Sequence, residues 1–182
     1  MIDSQQASEA LADITEIARR VRQSRVYNLA SLLMVLWGVL VFVANVAAFG
    51  WPRQAGYIWI AVNVVGLAGS FVVSAFTHSR TGVRTFDLRT LMAFLLFFAF
   101  GLATCMLAHF GSRELGVFWA IYFMLFYTIA GLWVGLAFVV IGLGISALTL
   151  TGYFLAGNWF EPWMAVVNGG GLVLGGLWMR RE

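Results

Sequence analysis

From Tyr27 onward the chain is a succession of long apolar runs broken by short polar clusters, and a segment with a different rhythm precedes them. Between residues 4 and 25, Ala7, Ala10, Leu11, Ile14, Ile17, Ala18 and Val21 recur at spacings of three and four. Glu9, Asp13, Glu16, Arg19, Arg20 and Arg22 fall largely on the other face. That period predicts an amphipathic helix over residues 1–25, with Asp3 or Ser4 available as its cap. Its acids lie in the first half and Arg19, Arg20, Arg22 and Arg25 in the second, the order that the helix dipole favours. Such a helix is expected to lie on the membrane surface, with those four arginines on anionic lipid headgroups. Packing on a partner, or on a second copy, is the other use of the same face.

About 20 helical residues cross a hydrocarbon core of roughly 30 Å, so the lengths of the apolar runs set the number of crossings. Arg25 to Arg53 encloses a first span (27–49), Arg53 to Arg80 a second (57–77) and Arg89 to Arg113 a third (90–110). The uncharged run from Leu115 to Phe160 would be about 69 Å long as one helix, so it must turn. The turn is expected at Gly131-Leu132-Trp133-Val134-Gly135, giving spans 115–130 and 135–156. Pro162, suited to a first helical position, opens a glycine-rich sixth span over 162–178. The expected fold is therefore an all-α integral membrane protein, with six transmembrane helices in residues 26–182 behind the amphipathic helix.

Two of the polar interruptions repeat each other. Arg53-Gln54-Ala55-Gly56-Tyr57-Ile58-Trp59 and Arg113-Glu114-Leu115-Gly116-Val117-Phe118-Trp119 share Arg-x-x-Gly-x-x-Trp, and Gly157-Asn158-Trp159-Phe160-Glu161-Pro162-Trp163 is a looser echo without arginine. Each lies between an odd-numbered span and the next, so the spans read as three repeated parallel hairpins with these clusters at their tips. Arginine placement orients them. Arg19, Arg20, Arg22, Arg25, Arg80, Arg84, Arg89, Arg180 and Arg181 fall on one side, and only Arg53 and Arg113 on the other. By the positive-inside rule both ends face the cytoplasm and the tips face outward, where Trp51, Trp59, Trp119, Trp159 and Trp163 form an aromatic belt. The layout resembles that of small bacterial membrane proteins, which places the chain in a bacterial inner membrane as a multi-pass protein.

Composition agrees and narrows the chemistry. At 62% hydrophobic and 10% charged residues, the chain is far from the soluble average of about 25% charged. All 11 basic residues are arginine, which excludes a Schiff-base lysine and a phosphate-loop lysine. The net charge of +3 reflects arginines at span ends, so nucleic acid is not an expected partner. Cys105 is the single cysteine and lies in an apolar run, where it behaves as a small hydrophobe. Residues 1–24 lack the short apolar core of a cleavable signal, so the first span is expected to be retained.

Ionisable side chains in a bilayer are functional candidates because burying them is costly, yet none falls at mid-depth. His78, Asp87, His109, Glu114 and Glu161 sit near span ends, and the two histidines are on opposite sides, so neither a metal site, a haem nor any other cofactor is expected. With no paired acid and base, no catalytic residues are assigned and an enzyme is the least favoured class. Neutral polar groups do show a pattern: Asn45, Asn63, Thr104, Tyr122, Thr149, Thr151 and Asn168 all map to the outer halves of their spans. They suggest a shallow outward pocket, with Asn45, Asn63, Asn168 and Tyr122 as hydrogen-bonding groups and Arg53 or Arg113 at its rim for an anion. The competing role is to hold helices together, at about 0.6 kcal/mol each. Gly131-xxx-Gly135, Gly171-xxx-Gly175, Gly142-x-Gly144 and the Gly169–Gly171 run favour close packing; the last can also unwind a span around a ligand. The function expected from these residues is a non-enzymatic accessory or oligomer-forming component of a membrane complex. The alternative is a small-molecule binder or transporter.

Overall fold

Every element among the described residues is helical. The computed structural model describes residues 4–81 and 88–180, with 4–10, 12, 14–26, 78–81, 88 and 90 described by backbone alone. Helix α1 runs Ser4–Gly50, α2 Ala55–Thr81, α3 Leu88–Ala108, α4 Ser112–Val134 and α5 Leu136–Leu155. Short α6 (Phe160–Met164), a π-helical segment (Ala165–Gly170) and α7 (Gly171–Met179) follow without a break in the helical path. Five stretches are long and apolar enough to cross a membrane, namely Tyr27–Gly50, Pro52–Thr77, Leu91–Ala108, Ser112–Val134 and Leu136–Leu155. The expected sixth crossing falls on α6, the π segment and α7 together, a run that is not among those five.

Two boundaries differ from the sequence expectation. The amphipathic segment and the first span are one helix of 47 residues, about 70 Å long, because no proline or glycine interrupts Ser4 to Trp37. Residues ahead of Tyr27 thus continue the helix of the first span. The lipid contacts expected of Arg19, Arg20, Arg22 and Arg25, and the side chain of His78, lie outside the described side chains. The second difference is the turn between the fourth and fifth spans, which is a single residue. Gly135 adopts φ 157°, ψ 154°, its N–H closing on the Gly131 carbonyl, so α4 continues to Val134 and α5 starts at Leu136. That backbone region is accessible essentially only to glycine.

Packing is organised around α1, α4, α5 and the sixth crossing. Met34 of α1, Met124 of α4, Phe138, Ile141 and Ile145 of α5, and Val167, Leu172 and Met179 of the sixth crossing form one buried cluster. Glycines set the close approaches. A Cβ on Gly131 would sit 2.7 Å from the Val139 nitrogen, and one on Gly142 would meet Thr128 Oγ1 and lie 2.8 Å from the Met124 carbonyl oxygen, so α4 and α5 meet nearly backbone to backbone. Helix α2 is attached to α1 by Trp37, whose ring fills the notch over Gly66 and whose Nε1 donates to Ser70 Oγ at 3.0 Å. Helix α3 is held on α4 by aromatic rings: Phe97 stacks on Tyr122 at 4.1 Å, and Phe98 lies 5.5 Å from Trp119. Both α2 and α3 leave most of their large apolar side chains exposed.

Polar contacts also tie α1 to α7 near the start of the first apolar stretch. Fully buried Ser31 donates to the Gly176 carbonyl at 2.6 Å and accepts from Arg180 Nε at 3.1 Å, tying α1 to α7.

Candidate functional site

The sixth crossing concentrates the features that a site would use. Glycine lowers helix propensity by about 1 kcal/mol relative to alanine, and of three consecutive glycines Gly169 and Gly170 end the π-helical segment while Gly171 begins α7. The run does not unwind the crossing; it packs it. A Cβ on Gly169 would lie 2.6 Å from Phe42 Cα, and one on Gly38 would lie 2.8 Å from the Gly169 carbonyl oxygen, so α1 and the π segment touch through backbone. Gly171 faces Ile145 of α5. Gly170 has open space where a side chain would be.

Asn168 sits inside this segment and is buried. Its Nδ2 donates to Thr149 Oγ1 of α5 at 3.1 Å and approaches Met164 Sδ at 3.3 Å. Thr149 is fully buried, and the bond joins α5 to the π segment. Wide π turns recur at functional sites, and this one carries a buried amide.

The other candidates do not gather around it. Asn45 Nδ2 donates to the Val41 carbonyl and Asn63 Nδ2 to the Trp59 carbonyl, each 2.8 Å and one turn back on its own helix. Thr104 and Thr151 do the same with Phe100 and Ala147. Tyr122 donates its hydroxyl to the Phe97 carbonyl at 2.9 Å, completing the α3–α4 aromatic contact. A cavity of about 330 Å³ opens between α1 and the sixth crossing, lined by Val39, Phe42, Gly169, Gly170, Val173 and Leu174. None of the six predicted site residues lines it, and its walls offer no polar side chain.

The two repeated arginines have different surroundings. Arg53 is exposed on the Pro52–Gln54 turn, and no hydrogen bond or ion pair to it occurs among the described residues. Arg113 instead reaches across to α5, where its Nη2 donates to the Tyr153 carbonyl at 2.7 Å and lies 3.4 Å from the Gly152 carbonyl. Its guanidinium carbon is 4.6 Å from the Phe160 ring centroid and 5.4 Å from that of Tyr153. The Gly152 carbonyl already accepts the Ala156 N–H, so the guanidinium supplies a donor to the Tyr153 carbonyl and a positive charge at the negative end of the α5 dipole. Its Nε is buried without a hydrogen-bond partner. Glu114 accepts a long 3.4 Å contact from the Tyr153 hydroxyl. Among the described residues no group of three or more His, Cys, Asp or Glu side chains is placed to hold a metal.

Sequence reasoning passed over Thr149 as a specific partner for Asn168, Ser31 with Arg180, and Trp37 with Ser70. The first had a signal in the asparagine beside a glycine run. The other two pair residues far apart in the chain, and no local pattern marks them. No protein family, curated protein or solved structure matches the chain.

Proposed function

We propose that this protein is a non-enzymatic, oligomer-forming accessory component of a bacterial inner membrane, with six crossings arranged as three repeated parallel hairpins and both termini in the cytoplasm. The observation that carries the reading is what the polar side chains do. Asn45 and Asn63 bond their own helices, while Tyr122, Arg113 and Asn168 bond neighbouring ones, which is the chemistry of assembly. In a bilayer the exposed apolar faces of α2 and α3 contact lipid tails or further membrane helices, and this reading gives part of them to the latter. On this reading the N-terminal part of α1 places Arg19, Arg20, Arg22 and Arg25 close to anionic headgroups, and the helix ahead of them is available to a partner.

Counting photobleaching steps of labelled protein at low density in liposomes tests it; several steps per particle are expected, and strictly single steps would refute an oligomer. Outside-only labelling of Arg53→Cys and Arg113→Cys in a Cys105→Ser background is expected from the arginine asymmetry. Labelling from the cytoplasmic side reverses the topology.

A second reading is favoured by one feature, the buried Asn168 amide on the π segment. It makes the chain a binder or transporter of a small polar molecule entering from the hairpin-tip side. A ligand-dependent thermal shift found in a metabolite screen and lost in Asn168→Ala would support it; a shift that survives both Asn168→Ala and Asn63→Ala removes its basis.

A further inference from the structure

Three parallel hairpins in sequence call for three seams between neighbours: α2 with α3, α4 with α5, and the sixth crossing with α1. Two of these exist. The α4–α5 seam closes on Gly131 and Gly142, and the seam to α1 closes on Gly38, Gly169 and Gly176. No packed seam joins α2 to α3. Each of those helices instead exposes an apolar stripe at alternating spacings of three and four, Tyr57, Ile60 and Val64 on α2, and Ala99, Leu102 and Met106 on α3. That spacing suits a left-handed helix pair.

We propose that the absent seam forms between copies, with α2 of one protomer packing on α3 of the next. The latch is Arg53. Arg113 stands at the start of α4 and caps the end of α5; Arg53 holds the same place in the Arg-x-x-Gly-x-x-Trp repeat at the start of α2, and lacks the corresponding contact. Aligning tip glycines Gly111 and Gly157 puts Met106 and Leu107 where Gly152 and Tyr153 receive Arg113. Those two residues are 79% and 81% exposed, and they lie in the last turn of α3, whose carbonyls have no N–H partners within the helix. The Leu107 carbonyl already has a neighbour, His109 Nδ1 at 3.0 Å, so the proposed latch adds a donor to it or to the Met106 carbonyl.

Within one chain α2 packs on α1 and α3 on α4, and α2 and α3 do not pack on each other, so the partner is assigned to a second copy. Trp37 locks α2 to α1 through Gly66 and Ser70, and Tyr122 with Trp119 locks α3 to α4 through Phe97 and Gly101. The resulting contact is heterologous, one stripe meeting a different one, and it closes into a ring if the rotation between protomers permits.

The inference rests on the hairpin repeat and on the oligomer proposed above. Its test is oxidative cross-linking in liposomes, with all proteins carrying Cys105→Ser. Tyr57→Cys protein mixed with Met106→Cys protein is expected to give a disulfide dimer that neither gives alone. Adding Arg53→Ala to the Tyr57→Cys protein should lower that yield about tenfold, the loss expected for one charge-assisted contact. Self-dimers of either single variant, or an internal disulfide in the Tyr57→Cys, Met106→Cys double variant, overturn the proposal. Absence of the mixed dimer while photobleaching still counts several protomers rejects this surface and leaves the oligomer standing. Single photobleaching steps reject both.

Discussion

The sharpest consequence of the structure concerns two neighbouring glycines whose substitution should have opposite effects. A methyl group on Gly169 would meet Phe42 Cα and Cβ at 2.6 Å and its nitrogen at 2.7 Å, and these are backbone or near-backbone atoms that cannot rotate away. Ordinary carbon contacts start near 3.5 Å, so α1 and the π segment must separate by about 1 Å. A gap of that size forfeits roughly a quarter to a half of the dispersion energy of each contact it opens. Overpacking of this kind costs about 1–3 kcal/mol, and contact with main chain places Gly169→Ala toward the upper end. Gly170 is one position on and has nothing within 4 Å of the same methyl group. Gly170→Ala therefore meets no clash and gains up to about 1 kcal/mol from helix propensity. For a chain of this size 1 kcal/mol corresponds to about 2–4 °C in Tm. Thermal unfolding in a mild detergent, followed by loss of the monodisperse elution peak, should show Gly169→Ala lower by about 4–12 °C and Gly170→Ala unchanged or raised. Equal shifts for the two variants would refute the claim that α1 and the sixth crossing meet backbone to backbone at Gly169.

Gly135→Ala puts a Cβ on a residue at φ 157°, ψ 154°, and should cost about 1–3 kcal/mol, read as a lower midpoint in SDS-induced unfolding; an unchanged midpoint means the α4–α5 turn has another shape. Thr149→Val keeps the volume but removes the acceptor of Asn168, and about 1 kcal/mol should be lost by the same titration. Thr151→Val, which deletes only a bond to its own helix, should move the midpoint less, and a reversed order contradicts the role given to the buried pair. Arg113→Ala should lower thermal stability through loss of the α5 cap and of two ring contacts, whereas Arg53→Ala should leave the isolated protomer unaffected. Equal effects in monomeric detergent preparations would show that the two repeated arginines do the same work within one chain.

Much of this protein was legible in its residues because a bilayer imposes simple rules. Lengths of apolar runs pointed to long apolar helices, since a backbone in hydrocarbon must satisfy its own hydrogen bonds as helix, and five such helices are present among the described residues. The glycine at the α4–α5 break was visible because a one-residue turn demands a particular residue type. The junction at residues 25–27 was not, because the apolar period changes there while nothing in the backbone stops the helix. Nor could the sequence say where polar side chains point. Asn45, Asn63 and Asn168 look alike on a list of outer-half asparagines, yet the first two bond one turn back on their own helices and only Asn168 reaches another crossing. The same holds for Arg53 and Arg113, identical in motif and different in surroundings. Composition and periodicity by themselves determined that the chain is all-helical, with several helices long and apolar enough to cross a membrane. Which glycines carry the contacts, which arginine is a cap, and that α2 and α3 keep their faces open were decided by the tertiary structure, because these depend on which helix lies opposite each residue.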